Sequence, residues 1–164
     1  MDVLEMYVTP FVTTTLNTFK NFVGFELIAG HPHFSGRTME FDQDISAIIG
    51  LSGDIRGAVV ISMKKEFALK IADTLVGTPH TEIDDDVVDS IGEIVNIIAG
   101  NVKNEVDGGE KIVISLPTVI KGKDHSFAWP GKHTRILCIS FKYGDDCFNI
   151  LVDIAKTTEV DRRS

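Results

Sequence analysis

The chain has 164 residues, a formal net charge of -8, 43% hydrophobic residues and 24% charged ones, the composition of a single soluble domain with one sizeable core. The acidic balance excludes general affinity for nucleic acid, which rests on Lys and Arg neutralising phosphates, and there is no run of about eighteen apolar residues to span a membrane. The opening MDVLEMYVTP has neither the basic nor the apolar region of a secretory leader, so the expected location is the cytoplasm.

Thr9 reads as a helix N-cap and Pro10 as the first helical residue. Phe11, Val12, Leu16, Phe19, Phe22 and Val23 follow at near-helical spacing until Gly24 ends the segment. Phe25 to Ala29 predicts a short strand and His31-Pro32-His33 a turn. That histidine pair has no third ligand in register and reads as a surface loop rather than a metal site. Ile45 to Leu51 and Ile55 to Met63 predict a β-hairpin turning at Ser52-Gly53-Asp54. No Gly-Lys-Ser/Thr follows and no helix opens there, so this is not a phosphate loop. Gly57 marks a bulge or a close backbone contact. Lys65 to Val76 is helical, with Gly77 as its C-cap, and Thr78-Pro79-His80 leads on.

Next comes the longest helix, from about Asp84 to Glu105, capped by Thr81 or Asp84 and running out at Asp107-Gly108-Gly109. Val87, Val88, Ile91, Ile94, Val95, Ile98 and Val102 form one apolar stripe at about 100° per residue. Asp89, Glu93, Asn96 and Gly100 fall within an arc of roughly 60° on the other side. Glycine inside a helix costs about 1 kcal/mol relative to alanine, so Gly92 and Gly100 imply a reason to keep side chains away. Either a neighbouring element packs closely there, or another macromolecule lies along this face.

Lys111 to Ile120 predicts a strand and Lys121 to Lys132 a polar loop. Arg135 to Tyr143 and Cys147 to Ile154 then alternate as half-buried antiparallel strands around a Gly144-Asp145-Asp146 turn. No internal repeat occurs. The element order argues an α+β fold with a mostly antiparallel sheet and helices packed on it, in a single domain over residues 1–155 with a polar tail over 156–164.

Catalytic groups of the familiar kinds are poorly supported. Cys138 and Cys147 suit reduced thiols, with no C-x-x-C motif and no histidine nearby in sequence. His125 and His133 have no obvious partner and read as surface or structural residues, and Ser115 and Ser126 lack a nucleophile-elbow motif. The helix face is what remains.

Asp89-x-x-x-Glu93-x-x-Asn96, with Pro117 about twenty residues after Asn96 in Ser-Leu-Pro-Thr-Val-Ile, resembles the signature of the CheC/CheX/FliY chemotaxis phosphatases. Thr9-Pro10-Phe11-Val12, the stretch from Ile49 to Gly57, and Pro117-Thr118 agree with the same resemblance, which covers nearly the whole chain. A single E-x-x-N helix is similar to the CheX branch, since a CheC-type protein is expected to carry two. The resemblance implies hydrolysis of the aspartyl phosphate on a CheY-like response regulator that brings its own Mg²⁺, with no cofactor on this chain. It implies that Asn96 positions the attacking water and that Glu93 pairs with the regulator's active-site lysine, Asp89 extending the contact. On the helical wheel, and not from the resemblance, Gly92 and Gly100 would admit the partner closely. It also implies a homodimer, with the apolar strands at the end of the sheet leaving an edge to be paired. The alternative is a non-catalytic module that uses the same face to bind a phosphorylated receiver domain, or a flagellar or receptor-array component.

Overall fold

The computed structural model describes residues 3–36, 38–40, 43–106, 108–129 and 135–158. Three helices are formed by these residues: α1 (Val8–Thr18), α2 (Lys65–Val76) and α3 (Asp85–Glu105). The strands are β1 (Ile28–Ala29), β2 (His33–Ser35), β3 (Thr38–Glu40), β4 (Ile45–Gly53), β5 (Ile55–Met63), β6 (Ile112–Ile114), β7 (Thr118–Lys121), β8 (Ser126–Ala128), β9 (Ile136–Tyr143) and β10 (Asp146–Lys156).

The main sheet is antiparallel in every pair and runs β1-β9-β10-β5-β4-β6, with β2 beside β1 on β9 and β7 beside β6 on β4. Two hairpins supply its centre. β4 pairs β5 from Ile45↔Met63 to Leu51↔Gly57, and β10 pairs β9 from Asp146↔Tyr143 to Val152↔Leu137. The hairpins join where β10 lies along all nine residues of β5, from Phe148↔Met63 to Lys156↔Ile55. The α+β class read from the sequence is the architecture found. The last strand, however, is not an edge: β10 is central, and β1 with β2 and β6 with β7 form the two margins.

Gly57 sits inside this joint with φ +155, and a β-carbon there would collide with the Asp153 carbonyl. Close backbone approach is therefore what this glycine permits, as the sequence suggested.

All three helices pack on one face of the sheet, with α3 between α1 and α2 and across β4. Its stripe is the core's spine: Val87, Ile91, Ile94, Val95, Ile98 and Val102 are all buried. Asp84 caps it by accepting the Val87 N–H at 3.1 Å, which settles the choice between Thr81 and Asp84. Aromatic rings fill the end nearer α2, where Phe148 stacks on Phe19 at 4.9 Å and on Phe67 at 5.3 Å.

Several boundaries differ from the expectation. A 3-10 turn over Val3–Tyr7 runs directly into α1, so Tyr7 occupies the cap position and Thr9 lies inside the helix. Pro10 is tolerated there because first-turn N–H groups have no intrahelical partner anyway. The helix then widens to a π turn over Phe19–Val23, and Gly24 ends it at φ +79 as foreseen. Only Ile28 and Ala29 of the expected first strand pair, since Phe25 instead stacks on Tyr143 at 4.1 Å. The tail does not begin at Lys156: β10 includes that residue, and Thr157 donates from its backbone to Asp54 and from its hydroxyl to Gly53. Residues 159–164 lie outside the described residues, as does His133.

The largest departure is the segment read as a polar loop from Lys121 to Lys132. Part of it is β8, which pairs β3, and Trp129 is buried with Val60, Ile136, Cys138 and Leu151 in a second apolar cluster on the sheet face opposite the helices. His125 fastens this cover. Its Nδ1–H donates to the Gly122 carbonyl at 2.7 Å, and Nε2 lies 2.7 Å from the Ser46 hydroxyl, which in turn bonds Ser62 at 2.6 Å. A histidine with no partner evident in sequence thus has a structural one.

Candidate functional site

The outward side of α3 carries the residues singled out by spacing. Asp89 and Glu93 are exposed and Asn96 is half-buried, each about one helical turn from the next. Among the described residues, no hydrogen bond or ion pair engages the side chain of any of the three. Their spacing is set by the backbone of a helix that is anchored on its other side by the core, so the positions from which the carboxylate and carboxamide project are fixed relative to one another without a loop between them.

Gly92 and Gly100 have one neighbour in common, the margin of the sheet. A β-carbon on Gly92 would meet Pro117 Cγ at 3.4 Å and Val119 Cγ2 at 3.6 Å, and one on Gly100 would meet Ile114 Cδ1 at 4.0 Å. Of the two readings of Gly92, packing of a neighbouring element is the one that describes this buried position; it is not open to a partner's approach. Gly100 is half-buried and retains some outward surface.

The expected strand over Lys111 to Ile120 is two strands for the same reason. β6 pairs Leu51 to Gly53, β7 pairs Ile45 to Ile48, and the chain leaves the sheet between them at Ser115, Leu116 and Pro117. Ser115 holds this break to Gly50 twice: its N–H donates to the Gly50 carbonyl and its Oγ accepts the Gly50 N–H, both at 2.9 Å. Its hydroxyl proton goes to the Leu116 carbonyl at 2.9 Å. Pro117 cannot donate to a ladder, which suits it to such a break.

Among the described residues, neither cysteine joins a second centre. Cys138 is a free thiol whose burial pushes its pKa up to about 11, and Cys147 is free and exposed. Such a buried thiol is inert as a nucleophile. His80, read from the sequence only as part of a connector, binds Asp73 and Asp86 beside Asp84 where α2 hands over to α3. The turn at Gly77 that folds His80 back onto Asp73 is what brings them together. No helix among the described residues is long and apolar enough to cross a membrane.

The architecture and the helix face define an α+β domain that presents an acid and an amide on one rigid helix. Comparison with known proteins gives this class its family: the model of the chemotaxis phosphatase CheX matches residues 45–142, and the chain belongs to that family. It is 27% identical over 119 residues to the CheY-P phosphatase CheX of Thermotoga maritima, covering 71% of this chain and 76% of that one. The structure of a chemotaxis protein CheX from Desulfovibrio desulfuricans is 24% identical and superposes with a TM-score of 0.81, over 92% of this chain and 99% of that one. A CheX-CheY-BeF3-Mg complex from Borrelia burgdorferi is similar at 24% identity and a TM-score of 0.75, over 92% of this chain and 98% of the other.

Proposed function

We propose that this protein hydrolyses the aspartyl phosphate of a CheY-like response regulator, with Asn96 holding the attacking water and Glu93 engaging the regulator's active-site lysine. The observation that carries the reading is the pair itself, one turn apart on the open side of α3 in a member of a phosphatase family. An acyl phosphate is already activated, and Mg²⁺ belongs to the regulator, so the phosphatase needs to add only a placed water and a docking surface. The Asn96 carboxamide can accept from and donate to a water without bringing negative charge against the phosphoryl oxygens. Glu93 supplies the charge that a lysine recognises, and the pair strengthens as docking removes water from it. Asp89, a further turn back, extends the acidic contact.

The test is the decay of a phosphorylated CheY-type receiver with and without the protein and with Asn96→Ala. Acceleration that disappears in the variant while binding persists supports the reading. Binding without acceleration by the unsubstituted protein would instead make it a non-catalytic receiver-binding module. We also propose a homodimer, for which exposed Ile28 on the β1 margin offers apolar surface; light scattering that gives only the 18.0 kDa monomer rejects it.

A further inference from the structure

We infer that Leu116 is an apolar anchor for the receiver domain, seating it on the rim of the site next to its phosphorylated aspartate. This rests on the function proposed above and adds a contact that the helix face does not contain. Leu116 is 87% exposed, the most exposed of the large apolar side chains described.

Its position follows from the two glycine contacts. Ile114 meets α3 at Gly100 and Pro117 meets it at Gly92, and Asn96 lies midway between those glycines. The chain joining the two contacts, Ser115 and Leu116, therefore passes the turn of the helix that carries Asn96. A partner seated over Glu93 and Asn96 thus has Leu116 on the adjoining segment of chain.

The segment is also preorganised. Ser115 binds Gly50 through two hydrogen bonds and the Leu116 carbonyl through a third, while Pro117 rests against Gly92 and has a fixed φ. An exposed leucine on a backbone held in this way loses little freedom when it is buried by a partner. The same features argue against a second copy of this chain as the occupant. Strand addition needs a run of free N–H groups, and Pro117 has none to offer.

The experiment compares the unsubstituted protein with Leu116→Asp and Leu116→Met, using a receiver loaded with beryllofluoride and Mg²⁺ for affinity and the phosphorylated receiver for turnover. The expected result is that Leu116→Asp raises Kd about tenfold or more and raises KM in parallel, with the maximal rate retained and Leu116→Met close to the unsubstituted protein. Unchanged Kd in Leu116→Asp, with its thermal midpoint intact, overturns the inference while the phosphatase reading stands. A change in oligomeric state with unchanged binding per protomer also overturns it and assigns the leucine to a second copy. Failure of the unsubstituted protein both to bind and to accelerate decay removes the phosphatase reading, and the anchor with it.

Discussion

His80 reaches one oxygen of Asp73 twice, through its backbone N–H at 2.7 Å and through Nδ1 at 2.9 Å. Its Nε2 points at Asp86 from 3.4 Å, so the ring joins the end of α2 to the first turn of α3. Only an imidazolium donates from both nitrogens. The Asp73 hydrogen bond holds the His80 pKa above the ordinary 6.5, helped by the Asp86 bond and the charges of Asp84 and Asp73 and opposed by burial. Its contribution to stability is therefore complete below 6.5 and is lost as pH rises through the higher folded value. Thermal melts between about pH 6 and about pH 8 are expected to show a midpoint that declines with pH, and His80→Gln should flatten that slope.

In the proposed function Glu93 acts through charge, and this separates it from Asn96. Receiver affinity is expected to weaken as salt is added, and Glu93→Ala should both lower affinity by about tenfold and make the salt dependence shallower. Calorimetric titration at two ionic strengths reads both. Asn96→Ala should leave that dependence as it is and lower the hydrolytic rate by on the order of a hundredfold.

Gly57 is expected to be among the least replaceable residues. Gly57→Ala forces a side chain into a left-handed backbone and into the Asp153 carbonyl at once, which should cost about 4 kcal/mol or prevent folding. Urea unfolding followed by circular dichroism measures it.

Gly92 should behave differently. Its β-carbon would just touch Pro117 at 3.4 Å, and its φ is ordinary, so Gly92→Ala is expected to fit and to gain up to about 1 kcal/mol from helix propensity. Gly92→Leu must push Pro117 away and, with it, the segment that carries Leu116. A raised melting point in the first variant and lower receiver affinity in the second are the expected readings.

The parts of the molecule legible in sequence are those governed by local periodicity. The α3 stripe, the Gly24 and Gly77 helix ends and the β4–β5 hairpin all follow from spacing within about twenty residues. That Glu93 and Asn96 share one helix face was legible for the same reason, whereas the roles proposed for them come from the resemblance of the motif. What was not legible depends on remote contacts. Nothing within Lys121 to Lys132 indicates that Trp129 will find Val60 and Leu151 across the sheet, or that His125 will find Ser46. Likewise, the run from Lys111 to Ile120 reads as one strand because its periodicity does not record that Gly50 captures Ser115 and that α3 receives Pro117.

The placement of Glu93 and Asn96 on a single helix has a bearing on how such a site ages. Sites assembled from several loops lose alignment whenever one loop drifts, so their surroundings are closely constrained. Here the separation between acid and amide is one turn of hydrogen-bonded backbone, and α3 is clamped by a stripe of buried aliphatic side chains. Replacement of one valine or isoleucine by another changes how firmly the helix is held, but not the spacing of the pair. The proposed chemistry can therefore tolerate exchanges among the aliphatic residues of the stripe.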